Sequence, residues 1–311
     1  MLQNKLPTII DLGEATPDEF INYSLTNREE IEDMLCETGA VKFCGVRIDS
    51  IENFKKILDS TTEKFLPYID GNSPRTKLSD TIYTSTEYDK SQKITMHNEL
   101  SYSRQWPKKL YFFCVTAATT DGETLIADSR EILRRMNKDI VREIESRGIQ
   151  YIRNLHGGIG FGQSWQTTFE TEDKAQFERY CDQYDIRRIW RQNGSVTILE
   201  HSSGIIEHYK TKQKVWFNQI DQFHPYQLGT DIYEAFKLGY ESPMEYPIYV
   251  TYGDGGIIDD EVIAEVIKTI DEVTIAPKWH KNELLILDNE LTAHGRNPFT
   301  GERKVLVGMS A

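Results

Sequence analysis

The chain contains many short runs of β-branched and aromatic residues, and these runs limit the folds that it can adopt. Each run is about as long as one strand and is bounded by turn residues, as strands of a sheet are. Helical patterns lie between only some of them, so strands and helices do not alternate as they do in a doubly wound parallel sheet. The strand-like runs are residues 40–46, 93–102, 110–118, 123–129, 195–202, 214–220, 283–289 and 303–309.

Helical spacing of apolar residues marks several other segments. Asn27 and Ser50 stand at positions where an N-cap is expected. The predicted helices cover residues 28–39, 51–66, 129–147, 171–183 and 258–272. Many strands with helices outside them predict a mainly β fold with flanking helices, built on a jelly roll or a related barrel. Because there is no repeat, low-complexity tract or flexible linker, we expect a single domain over residues 1–311.

The composition excludes several kinds of partner. The formal net charge of -13 would repel phosphate backbones and anionic membranes, so neither a nucleic acid nor a membrane is expected to bind. No signal peptide or transmembrane pattern is present, and the four cysteines are scattered without a Cys-x-x-Cys pair. We therefore expect a cytoplasmic protein with reduced thiols at Cys36, Cys44, Cys114 and Cys181.

His97 and Glu99 lie two positions apart in one of the strand-like runs. Side chains at i and i+2 of a strand share a face, so both could reach the same metal ion. An imidazole and a carboxylate are two members of a two-His-one-carboxylate triad, which suits iron(II) because further coordination positions stay open. His294 is the best third ligand, since it follows the apolar run 283–289 and precedes a Gly-Arg-Asn-Pro turn.

A His-x-Glu pair arises by chance in many proteins, and a strand histidine is more often structural than metal-binding. The remaining histidines lie in mixed polar surroundings and are expected to be structural or exposed. His224 is the one that competes most closely, because it follows soon after the aromatic segment 214–220. The five alternatives are His156, His201, His208, His224 and His280.

If the co-substrate of such a site is 2-oxoglutarate, its far carboxylate needs a fixed cation. Arginine suits that purpose because its planar fork binds a carboxylate through two parallel hydrogen bonds. Arg303 lies nine residues after His294 at the start of a strand-like run, and a hairpin would return it to the metal. Arg296 is the rival, although its turn position favours a solvated or loop-bracing role. Thr124 could donate a hydroxyl hydrogen bond to the same carboxylate.

Several blocks of the chain, in order, resemble the taurine dioxygenase-like superfamily of iron(II)/2-oxoglutarate oxygenases. Within it the chain is most similar to the branch typified by the syringomycin biosynthesis hydroxylase. The resemblance extends from about Ala40 to the end of the chain and is carried by residues 84–114, 121–130, 151–154, 164–171, 214–219 and 284–309. It implies a double-stranded β-helix, which agrees with the strand pattern.

The resemblance also implies roles for individual residues. His97, Glu99 and His294 match the iron ligands of the family, and Arg303 and Thr124 match its 2-oxoglutarate contacts. Relatives often have Gly-Gly-Glu-Thr where this chain has Asp121-Gly122-Glu123-Thr124, a departure that affects only the local turn. In related radical halogenases a small residue replaces the carboxylate ligand, so the presence of Glu99 favours oxygen transfer over chlorination.

The implied enzyme is a dioxygenase that uses iron(II), 2-oxoglutarate and O2 to hydroxylate an unactivated C–H bond. Its implied substrate is an amino acid or amino-acid-derived unit, free or tethered to a carrier protein, in the biosynthesis of an antibiotic or other natural product. Desaturation, cyclisation or epoxidation by the same chemistry is one alternative. A catabolic small-molecule dioxygenase is another, and a metal-free jelly-roll binding protein is a third.

The predicted substrate contacts cluster near the metal motif and in the segment around residue 217. Trp216 and Phe217 could equally be core aromatics. Docking of an acidic carrier protein would need a local basic patch, for which Arg187, Arg188 and Arg191 are the candidates, and a homo-oligomer is an alternative to a monomer. The predicted substrate-binding residues are Asn98, Ser101, Tyr102, Trp216, Asn218 and Gln219.

Overall fold

The strands of the chain are short, as the sequence predicted. The computed structural model describes residues 6–62, 64–73, 75–79, 81–85, 88–160 and 162–311. The strands within these ranges are β1 (Thr8–Ala15), β2 (Ala40–Val46), β3 (Ile82–Thr84), β4 (Ile94–His97), β5 (Lys109–Thr116), β6 (Thr120–Asp121), β7 (Thr124–Asp128), β8 (Ile149–Leu155), β9 (Arg187–Trp190), β10 (Val196–Ser202), β11 (Ile205–Glu207), β12 (Lys214–Trp216), β13 (Ile248–Tyr252), β14 (Glu283–Asp288), β15 (Thr292–Arg296), β16 (Phe299–Thr300) and β17 (Lys304–Ser310).

The helices lie mostly in the N-terminal part and between the later strands. Two 3-10 turns, at Pro225–Leu228 and Pro243–Glu245, add to them. The α-helices of the described residues are α1 (Pro17–Thr26), α2 (Arg28–Thr38), α3 (Ile51–Thr61), α4 (Ser129–Arg135), α5 (Lys138–Arg147), α6 (Trp165–Thr168), α7 (Lys174–Gln183), α8 (Ile220–Phe223), α9 (Thr230–Gly239) and α10 (Asp260–Val273).

Local capping explains where some predicted helices differ from the observed ones. Ser50 caps α3 by accepting a hydrogen bond from the Asn53 backbone, as predicted. The segment 129–147 is divided into two helices because Asn137 starts α5 with its own side-chain cap. Asn27 precedes α2, but its side chain makes no cap there and instead donates to the Tyr23 carbonyl of α1, so that expectation was wrong.

The described strands form five sheets, of which the three larger ones organise the fold. A six-stranded sheet has the order β1-β2-β14-β5-β17-β3, in which only β1 and β2 pair in parallel. An antiparallel sheet of three strands, β4-β15-β7, carries the metal motif, and a four-stranded antiparallel sheet has the order β13-β8-β10-β9. The predicted sheet-rich architecture with flanking helices is therefore confirmed. The described strands that lie outside the predicted runs are β1, β3, β6, β8, β9, β11, β13, β15 and β16.

Alternate residues of the six-stranded sheet pack on its two faces, as the two-residue period of a strand requires. On β5, Tyr111 and Phe113 join the apolar cluster that contains side chains of α1, α2 and α3. Leu110 and Phe112 join the larger cluster on the opposite face. That second face lies toward the metal motif, because the ring centroid of Phe112 is 5.2 Å from that of His294.

A buried charged cluster connects the loop before β3 to the four-stranded sheet. Arg153 on β8 forms an ion pair with Asp70, donates to the Asp70 carbonyl at 3.0 Å and lies 2.6 Å from Glu200. All three residues are buried. The cluster positions the segment that carries Tyr68 and Arg75, two residues that reach the site described below.

No helix among the described residues is long and apolar enough to cross a membrane. The four cysteines are unpaired, and two of them, Cys114 and Cys181, are buried. Burial raises the pKa of both buried thiols, to about 11 for Cys114 and about 12 for Cys181, so each remains a neutral thiol at neutral pH.

Candidate metal centre

His97 and His294 are brought together by the pairing of β4 with β15. The two residues are register partners in the antiparallel ladder, and their ring centroids lie 4.3 Å apart. Glu99 completes the group, because one donor atom from each of the three residues lies within 4.8 Å of the others. All three side chains are buried. The predicted ligands therefore converge.

The carboxylate reaches this position by a route that the sequence did not predict. The strand expected over residues 93–102 ends at His97, and Glu99 lies in the turn that follows. The argument from a shared strand face was therefore wrong for this pair. Asn289 fixes the turn instead: its side chain accepts from the Glu99 backbone N–H at 2.8 Å and donates to the Glu99 carbonyl at 3.0 Å.

The ring of His97 is oriented by its own strand. Its Nδ1 lies 2.9 Å from the carbonyl of Thr95, which can only accept, so Nδ1 carries the proton and Nε2 keeps a free lone pair. Gln222 supports this arrangement by donating to the same carbonyl at 2.9 Å. Burial and the neighbouring His294 lower the pKa of His97 to about 3, so the ring is neutral and able to bind a metal at neutral pH.

Glu99 is paired with a buried arginine. The Nη2 atom of Arg75 lies 2.6 Å from Glu99 Oε2, and both side chains are almost fully buried. Burial alone would raise the pKa of Glu99, but Arg75 and the neighbouring His294, whose Nε2 lies 3.6 Å from Glu99 Oε2, outweigh it and hold that pKa well below its usual range. The carboxylate is therefore ionised throughout the neutral range.

The donor set fits a divalent transition metal such as iron(II). It combines two nitrogen donors with one anionic oxygen in a buried position, which is the composition of a facial triad with open positions. His294 Nδ1 is buried without a hydrogen-bond partner among the described residues, so this nitrogen is available to a ligand. His97, Glu99 and His294 are the residues that would hold the metal.

A small pocket adjoins the three residues, and we call it the arginine pocket. Phe112, Ile94 and Val307 give it apolar walls, and three guanidinium groups border it. The residues that line it are Arg75, Ser85, Ile94, His97, Phe112, Thr124, His294, Gly295, Arg296, Arg303 and Val307. The pocket is thus cationic at its edges and open to two of the metal-ligand candidates.

Arg303 lies just before β17 and points into the arginine pocket. Its Nε donates to the Gly122 carbonyl at 2.7 Å and its Nη1 to Ser85 Oγ at 3.1 Å. Its Nη2 lies 3.4 Å from Thr124 Oγ1, which also accepts from Trp279 Nε1 at 2.9 Å. With two N–H groups directed at its oxygen, the Thr124 hydroxyl can donate its own proton to a ligand.

Two details of the neighbouring turn bear on this arrangement. Asp121, the residue that departs from the usual glycine, has φ 56 and so occupies the left-handed region, which Asp adopts more readily than most residues. Gly122 follows with φ 71, and a Cβ there would lie 3.2 Å from Arg303 Cδ and 2.8 Å from Phe299 Cβ. Asp121 and Gly122 therefore both adopt a left-handed backbone conformation, although Asp121 stands where relatives often have glycine.

Arg296 also borders the pocket but is engaged elsewhere. Its Nη2 donates to the carbonyls of Asp89 at 2.9 Å and Gln92 at 3.0 Å. These contacts tie the loop before β4 to β15. They correspond to the loop-bracing role expected for this residue. Arg296 is however the last residue of β15 and is buried, so the expected turn position and the solvated alternative were wrong.

A larger cavity of about 530 Å³ lies on the other side of the ligand residues, and we call it the glutamine cavity. His97 and Glu99 reach its wall. Five of the other lining side chains are amides and one is a lysine, and Tyr68 and Tyr102 supply aromatic surface. The aromatic, amide and lysine side chains of its wall include Tyr68, Asn72, Gln92, Lys93, Tyr102, Gln219, Gln222 and Gln227.

Of the predicted substrate contacts, Tyr102 and Gln219 line the glutamine cavity. Asn98 is buried and donates to the Asn289 carbonyl at 2.7 Å and to Ser129 at 3.1 Å. Asn218 donates to the Gly204 carbonyl, while Ser101 and Trp216 are buried. Trp216 belongs to the main apolar cluster, as its alternative interpretation required. These four line neither pocket, and a substrate role for them stays a prediction.

The competing histidines lie outside the group of three. His224 is buried against Tyr233 and Tyr249, and burial lowers its pKa. His208 lies 3.0 Å from Asp288 and its other nitrogen 2.9 Å from Thr211. Among the described residues, His97, Glu99 and His294 form the one cluster with metal-ligand spacing.

Sequence reasoning missed Arg75, Asn289, Gln222 and Trp279. Asn289 belongs to one of the blocks that carry the resemblance, so that block offered a signal. Arg75 stands in a polar segment with no local pattern, and its contact to Glu99 spans 24 residues of chain. Only folding brings that contact about.

The chain is similar over most of its length to a family of known proteins. The family model described as "Taurine catabolism dioxygenase TauD, TfdA family" matches residues 6–310. The dapdiamide synthesis protein DdaC of Enterobacter agglomerans is 33% identical over 299 residues, which cover 96% of this chain and 88% of that protein. A clavaminate synthase-like protein of Arabidopsis thaliana is 28% identical over 293 residues, which cover 91% and 85% of the two chains.

Solved structures with much lower sequence identity share the fold. PvcB, described as an Fe, alpha-ketoglutarate dependent oxygenase from an isonitrile synthetic pathway, superposes with a TM-score of 0.56 at 12% identity, covering 99% of this chain and 87% of that one. An asparagine oxygenase in complex with Fe(II), 3-hydroxyasparagine and succinate gives 0.55 at 12% identity, covering 94% and 85%.

Proposed function

The chain belongs to the TauD/TfdA family and is an iron(II)- and 2-oxoglutarate-dependent dioxygenase, and we propose that it hydroxylates an unactivated C–H bond of an amino acid or amino-acid-derived unit in natural-product biosynthesis. The observation that carries this proposal is the convergence of His97, Glu99 and His294 beside a pocket that contains Arg303 and Thr124.

The proposed site roles follow from the contacts. His97 presents Nε2 because its Nδ1 proton is held by the Thr95 carbonyl, and Glu99 is kept ionised by Arg75. When bound, the iron would supply the oxidising centre that activates O2 at the expense of 2-oxoglutarate. Arg303 and the Thr124 hydroxyl hold the far carboxylate of the co-substrate, and Phe112 keeps water from the inner wall of the pocket.

The glutamine cavity is the proposed binding site for the substrate. Its volume of about 530 Å³ is sufficient for an amino-acid unit, and it reaches His97 and Glu99. The amide groups of Gln92, Gln219 and Gln222 can donate to and accept from the polar groups of such a substrate. The relatives support the class: one is a synthesis protein, and the asparagine oxygenase was crystallised with a hydroxylated amino acid.

Two finer structural statements belong to the proposal. The six-stranded sheet and the β4-β15-β7 sheet both contribute residues to the site, which supports a double-stranded β-helix as the core of the fold.

In this proposal residues 1–311 form a single domain. Size-exclusion chromatography with light scattering would distinguish a monomer from a homo-oligomer.

Binding of a substrate tethered to an acidic carrier protein requires a basic docking surface on this chain, whose net charge is -13. The predicted basic patch is partly neutralised, because Arg188 pairs with Asp182 at 2.6 Å. Arg191 keeps its charge but is held by hydrogen bonds to Asn154 and Thr197. We therefore favour a free amino acid or a small derivative over a unit tethered to an acidic carrier protein.

The test is a mass-spectrometric screen of free and carrier-tethered amino acids with iron(II), 2-oxoglutarate and O2. We expect a product with one added oxygen and one equivalent of succinate, and none with Glu99→Ala. Loss of two hydrogens would indicate desaturation or cyclisation instead. The absence of 2-oxoglutarate-dependent O2 uptake with every substrate, together with no visible charge-transfer band on anaerobic addition of iron(II) and 2-oxoglutarate, would contradict the oxygenase assignment.

A further inference from the structure

Arg75 is buried beside the metal-ligand candidates with part of its hydrogen-bonding capacity unused. Its side chain is 3% exposed, and its Nη2 contacts Glu99 while its guanidinium lies 4.2 Å from the ring centroid of Tyr68. The Nε and Nη1 groups have no acceptor among the described residues. A buried charged donor without a partner is unfavourable, so these groups call for an acceptor that a ligand brings.

The position of Arg75 relative to Arg303 indicates which ligand that is. Both guanidinium groups line the arginine pocket, together with His97 and His294. Arg303 is held by Gly122, Ser85 and Thr124, none of which is a metal-ligand candidate. Arg75 instead contacts Glu99, which is one. The pocket thus has one cation bound to a metal-ligand candidate and one that is anchored by other residues.

We propose that Arg75 binds the carboxylate of 2-oxoglutarate that adjoins its keto group, so that the co-substrate is held by one arginine at each end. This inference rests on the proposed function of the site. The molecule has a carboxylate at each end and chelates a metal through the 2-oxo acid end, which places that carboxylate beside Glu99. Arg75 then serves two carboxylates, Glu99 through Nη2 and the co-substrate through Nη1.

The alternative source of a carboxylate is the amino-acid substrate, and the placement of Arg75 disfavours it. Arg75 is not among the residues that line the glutamine cavity, whereas Tyr68, which covers a face of its guanidinium, is. A carboxylate in that cavity would therefore face the Tyr68 ring, and the unpaired N–H groups of Arg75 do not belong to the cavity wall.

The test compares three probes on the manganese(II)-loaded protein by isothermal titration calorimetry. These are 2-oxoglutarate, 2-oxopentanoate, which lacks the far carboxylate, and 4-oxopentanoate, which lacks the carboxylate next to the keto group. The variants are Arg75→Gln, Arg303→Gln and Arg104→Gln. Arg104 is an exposed arginine paired with Asp185 at 2.6 Å and serves as the matched control.

We expect Arg75→Gln to weaken binding of 2-oxopentanoate on the order of 10- to 100-fold, the loss typical of a hydrogen bond between charged groups. Arg303→Gln should leave 2-oxopentanoate binding within about threefold of wild type and should weaken 4-oxopentanoate instead, while Arg75→Gln leaves 4-oxopentanoate unchanged. Both variants should weaken 2-oxoglutarate, and Arg104→Gln should weaken none of the three.

Unchanged affinity of Arg75→Gln for 2-oxopentanoate would overturn the inference, and a loss of product formation at saturating 2-oxoglutarate would then assign Arg75 to the substrate side. An equal loss for all three probes, with weaker manganese binding, would also overturn it, since Arg75 would act only through Glu99. If the wild-type protein bound no 2-oxoglutarate, the proposed function itself would fail. Should Arg75→Gln not fold, Arg75→Lys keeps a cation beside Glu99, and wild-type affinity of that variant for 2-oxopentanoate would contradict the inference.

Discussion

His97 and His294 face each other across neighbouring antiparallel strands, with ring centroids 4.3 Å apart. Their separation is therefore set by the pairing of β4 with β15. A shift of one residue in that register would turn one ring to the opposite face of the sheet. The third ligand candidate, Glu99, depends on a turn and on Asn289, so the site combines a rigid pair of rings with a carboxylate held by its surroundings.

Gly295→Ala should disturb the pairing on which the two histidines depend. A Cβ at this position would lie 2.6 Å from the Ile94 carbonyl and 3.2 Å from the Thr95 carbonyl, so the two strands must separate. We expect a loss of about 1–3 kcal/mol in the free energy of unfolding and a weaker affinity for manganese(II). Urea unfolding and metal titration measure the two effects. Gly239→Ala, where a Cβ meets nothing within 4 Å, is the control and should lower neither the free energy of unfolding nor the affinity for manganese(II).

Glu99→Ala should destabilise the metal-free protein as well as remove a ligand. It leaves Arg75 buried without its counter-ion, and breaking a buried ion pair in this way costs about 3–5 kcal/mol. The double variant Arg75→Met/Glu99→Ala removes both charges and should recover most of that loss. Urea unfolding of the wild type, Glu99→Ala, Arg75→Met and the double variant gives the coupling energy between the two side chains. If the losses of the two single variants simply added in the double variant, the pair would not be coupled.

Arg303→Gln should raise the KM for 2-oxoglutarate by about 10- to 100-fold, because it removes the cation that we propose binds the far carboxylate. Arg296→Gln should instead lower the melting temperature with little change in this KM, since Arg296 donates to the carbonyls of Asp89 and Gln92. Succinate formation at varied 2-oxoglutarate concentration measures the KM. A comparable rise for Arg296→Gln would make Arg296 the better anchor.

Asp221 makes stability depend on pH. Burial raises the pKa of its carboxyl to about 7, whereas the unfolded chain ionises near 3.9. The folded state therefore keeps a proton that the unfolded state has lost, so stability falls as the pH rises from about 4 to about 7 and is lowest above that range. Asp221→Asn should be more stable than wild type at pH 8, by at most about 4 kcal/mol, and nearly equal to it at pH 4.

Urea unfolding of the metal-free protein and this variant at pH 4, 6 and 8 measures the difference. Asp221 is not one of the residues that line either pocket, so the comparison reports on folding and not on ligand binding. A stability difference that is the same at all three pH values would show that Asp221 is not protonated in the folded state.

The sequence by itself predicted eight of the described strands and the three metal-ligand candidates that the fold brings together. The runs 40–46 and 283–289 became neighbouring strands β2 and β14, because strand formation depends on local side-chain pattern and on turn residues that are close in the chain. His97, His294 and Arg303 were identified for a related reason: each stands at a strand or at its end, where the position of a side chain follows from the local period.

The tertiary structure alone decided how the carboxylate and the pocket are held. Glu99 lies beyond the end of its strand, and its place depends on Asn289, which is 190 residues away, and on Arg75, which is 24 residues away. Thr124 is oriented by Trp279 across 155 residues. Hydrogen bonds and ion pairs of this kind leave no periodic signal, because the partners meet only when the sheets pack. For that reason the sequence named the metal-ligand candidates, whereas only the fold identified the arginine that pairs with one of them.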